Sequence, residues 1–133
     1  RVVWAGPGAA YGSEVSWASD ANASQTDPSM ILNTHLVKDP TGQFGEALWA
    51  LSNLYLNAGA QAENVTWWFD FLRSPGKTFT GGPWDAVTQT DAERVLLGLV
   101  QVQDMIDRSQ PSYDNPTLMT REVNWSIGMT RCV

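Results

Sequence analysis

The sequence predicts an α+β fold, in which a small antiparallel sheet from the N- and C-terminal segments packs against about four helices. Two observations carry this reading. The middle of the chain holds apolar residues at helical spacing behind recognisable helix starts, and both ends alternate polar and apolar residues as half-buried strands do. A mainly α fold with a short terminal hairpin is the alternative. The 133 residues are expected to form a single domain, 1–133. Hydrophobic residues make up 43% and charged residues 17%, a balance that supports a packed core rather than disorder.

At the N-terminal end Val2, Val3 and Trp4 are strand formers stopped by Gly6-Pro7-Gly8, and Glu14-Val15-Ser16-Trp17 alternates. Asp27-Pro28 is a helix start, an N-cap residue followed by proline at the first helical position. The helix expected from Pro28 to Lys38 turns Met30, Ile31, Thr34 and Leu36 or Val37 inward. Asp39-Pro40 repeats the signal. The helix behind it is expected to reach Asn57, with Phe44, Ala47, Leu48, Leu51, Leu54 and Tyr55 at helical spacing.

Glu63 to Arg73, with Trp67, Trp68, Phe69, Phe71 and Leu72, reads as a short helix, and Lys77 to Gln89 as a loop centred on Gly81-Gly82-Pro83-Trp84. Thr90-Asp91-Ala92-Glu93 has the form of a capping box, in which the first and last side chains each bond the other's amide. The helix behind it should run to Ser109 with Val95, Leu96, Leu99, Val102, Gln103 and Ile106 along one stripe. After a turn-rich loop from Gln110 to Pro116, the tail alternates. Val123, Trp125, Ile127 and Met129 fall on one face of the expected strand, and Glu122, Asn124, Ser126, Gly128 and Thr130 on the other.

Composition narrows the function. The formal net charge is −6, with Lys38 and Lys77 the only lysines and the arginines scattered, which argues against nucleic-acid binding and capture by anionic membranes. No stretch approaches the ~20 apolar residues of a spanning helix. With one His and one Cys, His35 and Cys132, a metal site or haem has almost no ligands to use, and no phosphate-cradling glycine loop is present. No metal and no cofactor are expected.

Three Asn-x-Ser/Thr sequons, at Asn22, Asn64 and Asn124, point to a secretory route and glycosylation. The chain begins at Arg1, which fits removal of a signal peptide. A secreted chain with an odd cysteine pairs it with another chain or carries a free thiol, so Cys132 is a candidate interchain disulfide to a partner or to a second copy, with a free thiol as the alternative.

The reading that follows is a secreted, processed glycoprotein acting by binding, as an effector, toxin or recognition subunit. Trp84 and Tyr113 in loops, and Trp67 and Trp68 at a helix edge, are the candidate contact residues, suited to protein or carbohydrate. The first alternative is a small secreted carbohydrate-active hydrolase. It would need two carboxylates across a groove, and Asp85 and Asp91 beside Trp84 are the candidates, with His35 as a further acid–base group. The second alternative is an apolar-ligand carrier with a cavity lined by Trp and Met.

Overall fold

The structure, a computed structural model, describes residues 27–59, 85–112 and 115–131. Of these, 80% are helical and none lies in a strand, so the α+β expectation is corrected to a mainly helical architecture, in line with its alternative. The N-terminal half of the expected sheet, and the aromatic segment from Glu63 to Arg73, lie outside the described residues. The C-terminal half is a helix.

Asp27 starts the first helix, α1 (Pro28–Ile31), as the sequence predicts. Its carboxylate accepts hydrogen bonds from the Ser29 amide at 2.9 Å, the Ser29 hydroxyl at 2.7 Å and the Met30 amide at 3.4 Å. The Ser29 hydroxyl bond is the largest cause holding the Asp27 carboxyl below its usual pKa; slight burial opposes it and the two amides add to it. The helix then widens into a π-helical segment, Leu32–Val37. That widening changes which residues face inward. Leu32 and Val37, five apart as the π repeat requires, are buried with Ile31, whereas Met30 and Thr34 are exposed. The expected inward Met30 and Thr34 are therefore corrected: Thr34 falls in the turn that closes over a longer repeat, and Met30, in α1 ahead of it, stands about 100° around the helix from buried Ile31.

Helix α2 (Gln43–Ser52) begins later than Asp39-Pro40 suggests. Asp39 closes a turn instead, its carbonyl accepting from the Gly42 amide at 3.1 Å, and Gly42 sits at φ 76°, a left-handed conformation that favours glycine. The Asp39 carboxylate then reaches past the turn to accept from the buried Phe44 amide at 2.8 Å. Asn53 interrupts the helix, and α3 (Leu54–Ala58) continues to Gly59 at φ 63°. Phe44, Ala47, Leu48, Leu51 and Leu54 are buried, as their spacing predicts; Tyr55 is half-buried.

Helix α4 (Gln89–Arg108) carries a capping box, but in another frame. Thr88, not Thr90, is the N-cap: its hydroxyl accepts from the Asp91 amide at 3.1 Å, while the Asp91 carboxylate accepts from the Thr88 amide at 3.1 Å. Thr90 is already helical, and Glu93 accepts from Gln89 at 2.9 Å instead. Replacing Thr88 with alanine should cost about 1 kcal/mol, because it removes the cap and strips a partner from buried Asp91. A urea midpoint lower in Thr88→Ala than in Thr90→Ala would bear this out; equal midpoints would contradict it.

The last helix, α5 (Pro116–Arg131), replaces the expected strand. Asn115 caps it, its side-chain oxygen accepting from the Leu118 amide at 3.1 Å, and Pro116 takes the first position. Met119, Val123, Ser126 and Ile127 turn inward, whereas Trp125, expected inside, is 62% exposed.

The core lies where these elements meet. α2 packs most extensively on α4, α3 extends the same contact, and α5 lies along α4. Two glycines permit close approach. A Cβ on Gly45 would sit 2.5 Å from the Ser29 carbonyl oxygen and 2.6 Å from Asn33, and a Cβ on Gly98 2.6 Å from the Leu54 Cδ1. The Asn33 side chain locks the first crossing by donating to the Gly42 carbonyl and accepting from the Gly45 amide at 2.8 Å. A strap holds the far end of α4 to the α1–α2 joint. The Gln110 amide donates to Asp39 at 3.0 Å, the Ser112 amide to the Val37 carbonyl at 3.2 Å and the Ser112 hydroxyl to the Lys38 carbonyl at 2.8 Å.

Candidate functional site

The candidate acid–base residues fall in different settings. His35 is exposed on the π-helical segment. Asp85 is exposed and in 3₁₀ conformation, ahead of α4. Asp91 is only 4% exposed, and its carboxylate is engaged by the Thr88 amide and by the Thr88 hydroxyl at 2.9 Å. An Asp91 substitution therefore acts on the helix start before it acts on any chemistry. Among the described residues no group of three or more His, Cys, Asp or Glu is placed to hold a metal ion, and no helix is long and apolar enough to cross a membrane.

Trp67, Trp68, Trp84, Tyr113, Asn22, Asn64 and Cys132 lie outside the described residues. Asn124 is exposed, as a glycan acceptor must be, and its side-chain oxygen accepts from Gln103 at 3.0 Å. The sequon nevertheless sits inside α5. Its Ser126 is buried, with the hydroxyl donating back to the Glu122 carbonyl at 3.0 Å. In the folded chain the sequon's hydroxyl is thus held inside the helix rather than presented beside Asn124. An open groove beside it is lined by Pro111, Pro116, Thr117, Thr120, Arg121 and Asn124.

The arrangement with the clearest physical signature is on the outer side of α4. Leu96 is 44% exposed, Leu97 65% and Val100 57%. At spacings of one, three and four residues they share adjoining helix faces, so their side chains form one patch. The stripe Val95, Leu99, Val102 and Ile106 is buried on the other side. Leu96, expected in that stripe, belongs to the exposed patch instead, because it stands about 100° from Val95 around the helix.

The patch has acidic ends. Glu93 precedes Leu97 by one turn, and Asp104 and Asp107 follow Val100 by one and two turns. Asp104 pairs with Arg108 at 2.5 Å in an exposed ion pair, and Asp107 accepts from Gln103 at 2.9 Å.

Leu97 and Val100 were missed by a reading that sought one apolar stripe. The available signal was the run from Val95 to Val100, in which every residue but Gly98 is large and apolar. Such a run carries apolar side chains around the whole helix, which a one-sided core cannot bury. The geometry suits recognition: a rigid helix presenting aliphatic side chains within a charged rim. Compared with protein-family models, with curated proteins and with solved structures, the chain matches none.

Proposed function

We propose that this chain is a secreted protein that acts by binding another protein, and that the outer face of α4 is its contact surface. The exposure of Leu96, Leu97 and Val100 side by side on one helix carries this reading. Large aliphatic side chains held in water on a rigid element mark interaction surfaces in folded proteins. The sequons at Asn22 and Asn64 and the odd Cys132 support the secretory part and a covalent link to the partner.

A photo-crosslinking residue placed at Leu97, and in a control at exposed Glu46 on α2, tests the reading in the natively secreted fluid. The expected result is one discrete adduct at position 97 that is absent at 46. Excess unlabelled wild type should suppress it, and a Leu97→Ser/Val100→Ser variant should not. Equal labelling at both positions would overturn the surface assignment. The intact mass under reducing and non-reducing conditions, before and after glycan removal, tests the rest. A bare monomer with a free thiol would remove the secretory and covalent parts.

A further inference from the structure

We infer that the partner of this surface is a basic amphipathic helix; the inference rests on the reading above and specifies the partner's chemistry. Glu93, Leu97, Val100, Asp104 and Asp107 follow one another at alternating steps of four and three residues, the repeat that keeps a seam facing a second helix. The seam is apolar in the middle and acidic at both ends.

Arg94, the exposed cation beside Glu93, turns its guanidinium toward Gly59 at the end of α3, so the acids of the seam are only weakly compensated within the helix. Glu93 accepts from Gln89 and Asp107 from Gln103, both neutral amides, and Asp104 shares an exposed ion pair with Arg108 that an incoming cation can exchange. The net charge of the chain, −6, adds to the field. Ordinary helix rise separates Glu93 from Asp104 by about 16 Å and from Asp107 by about 21 Å. A complementary helix therefore carries Lys or Arg eleven to fourteen residues apart, with Leu, Ile or Phe between them.

The same pattern disfavours a second copy. Parallel pairing sets each acid against its equivalent. Antiparallel pairing centred on Leu97 and Val100 sets Glu93 against Asp104. Both place like charges together while gaining only the central apolar contact. An anionic membrane is disfavoured for the same reason.

The test uses two labelled helical peptides of the same length, each with two leucines at the central seam positions. One has lysine and the other glutamate at both flanking positions. Fluorescence anisotropy against the full chain should show saturable binding of the lysine peptide, at least about tenfold tighter than the glutamate peptide at low salt, with the preference shrinking as salt rises. Glu93→Gln/Asp107→Asn should remove most of the preference, and Leu97→Ser/Val100→Ser should weaken both peptides about tenfold or more.

If both peptides bind equally and still depend on Leu97 and Val100, the basic partner is wrong while the surface stands. If the lysine peptide binds equally well to Leu97→Ser/Val100→Ser, the surface itself is wrong. Failure of the lysine peptide to bind would overturn the inference. So would a dimer seen in sedimentation and lost in Leu97→Ser/Val100→Ser, or binding to phosphatidylserine vesicles with the same dependence.

Discussion

Replacing Asp39 with alanine should destabilise the fold by about 3–4 kcal/mol, an effect on the scale of truncating a core side chain. Asp39 is 6% exposed, and its carboxylate accepts from the Thr41 amide at 3.0 Å, the Thr41 hydroxyl at 2.8 Å, the Phe44 amide at 2.8 Å and the Gln110 amide at 3.0 Å. Alanine leaves the buried Phe44 amide without this acceptor, and an orphaned buried donor costs more than a mean hydrogen bond returns.

Burial pushes the Asp39 carboxyl upward, but the amides of Phe44, Thr41 and Gln110 and the Thr41 hydroxyl together outweigh it and hold the pKa below the usual value. The sign follows. A carboxyl whose folded pKa is depressed contributes stability that is fully present above its unfolded pKa of about 3.9 and is lost as pH falls through the lower folded value. Chemical denaturation of the wild type should therefore show a declining midpoint below about pH 4. In Asp39→Asn the decline should be shallower, starting from a lower plateau. An Asp39→Ala midpoint within 1 kcal/mol of wild type, or parallel acid limbs, would refute the account.

Gly45→Ala should cost about 3 kcal/mol. Two effects oppose each other. Alanine is the better helix former by about 1 kcal/mol, which favours the variant. Against this, its Cβ would lie 2.5 Å from the Ser29 carbonyl oxygen and 2.6 Å from both Cγ and Nδ2 of Asn33. Backbone cannot rotate away as a side-chain tip can, so α1 and α2 must part, and the Asn33 bonds to Gly42 and Gly45 loosen with them. The matched control is Gly128→Ala in α5, where nothing lies within 4 Å of an added Cβ and propensity acts without a clash. That variant should gain up to about 1 kcal/mol. Urea midpoints for the pair should move in opposite directions; movement in the same direction would refute the close crossing.

Much of the helical framework was legible because its signals were local. Asp27-Pro28 caps as read, and the spacing of Phe44, Ala47, Leu48, Leu51 and Leu54 gave the inner face of α2 and α3. The tail failed for a definite reason. Met119, Val123 and Ile127 are four apart, and four is both two strand repeats and one helical turn, so these three inward residues of α5 satisfy both periods. The discriminating residues were Trp125 and Ser126, whose burial is the reverse of what a strand requires, together with Asn115-Pro116, the same kind of start as Asp27-Pro28. The capping frame failed because Thr88 and Thr90 both stand three residues ahead of an acid, and only the position of the first turn chooses between them.

The binding surface was less legible. Apolarity in a sequence does not say which side of a helix a neighbour will cover. The apolar run in α4 showed that some residue would be left outside, and the packing of α2 and α5 decided that Leu97 and Val100 would be.

The strap between Val37–Asp39 and Gln110–Ser112 has a consequence for how the chain folds. It joins residues 71 to 75 positions apart. Closing so long a loop from an open chain costs on the order of 4 kcal/mol in lost freedom, about what two neutral hydrogen bonds and one to a carboxylate return together. Closed first, the strap gains next to nothing; it is expected to close after α2 and α4 have met. Once shut, it ties the melting of the first helix joint to the melting of the end of α4, so that two segments distant in sequence open as one cooperative unit.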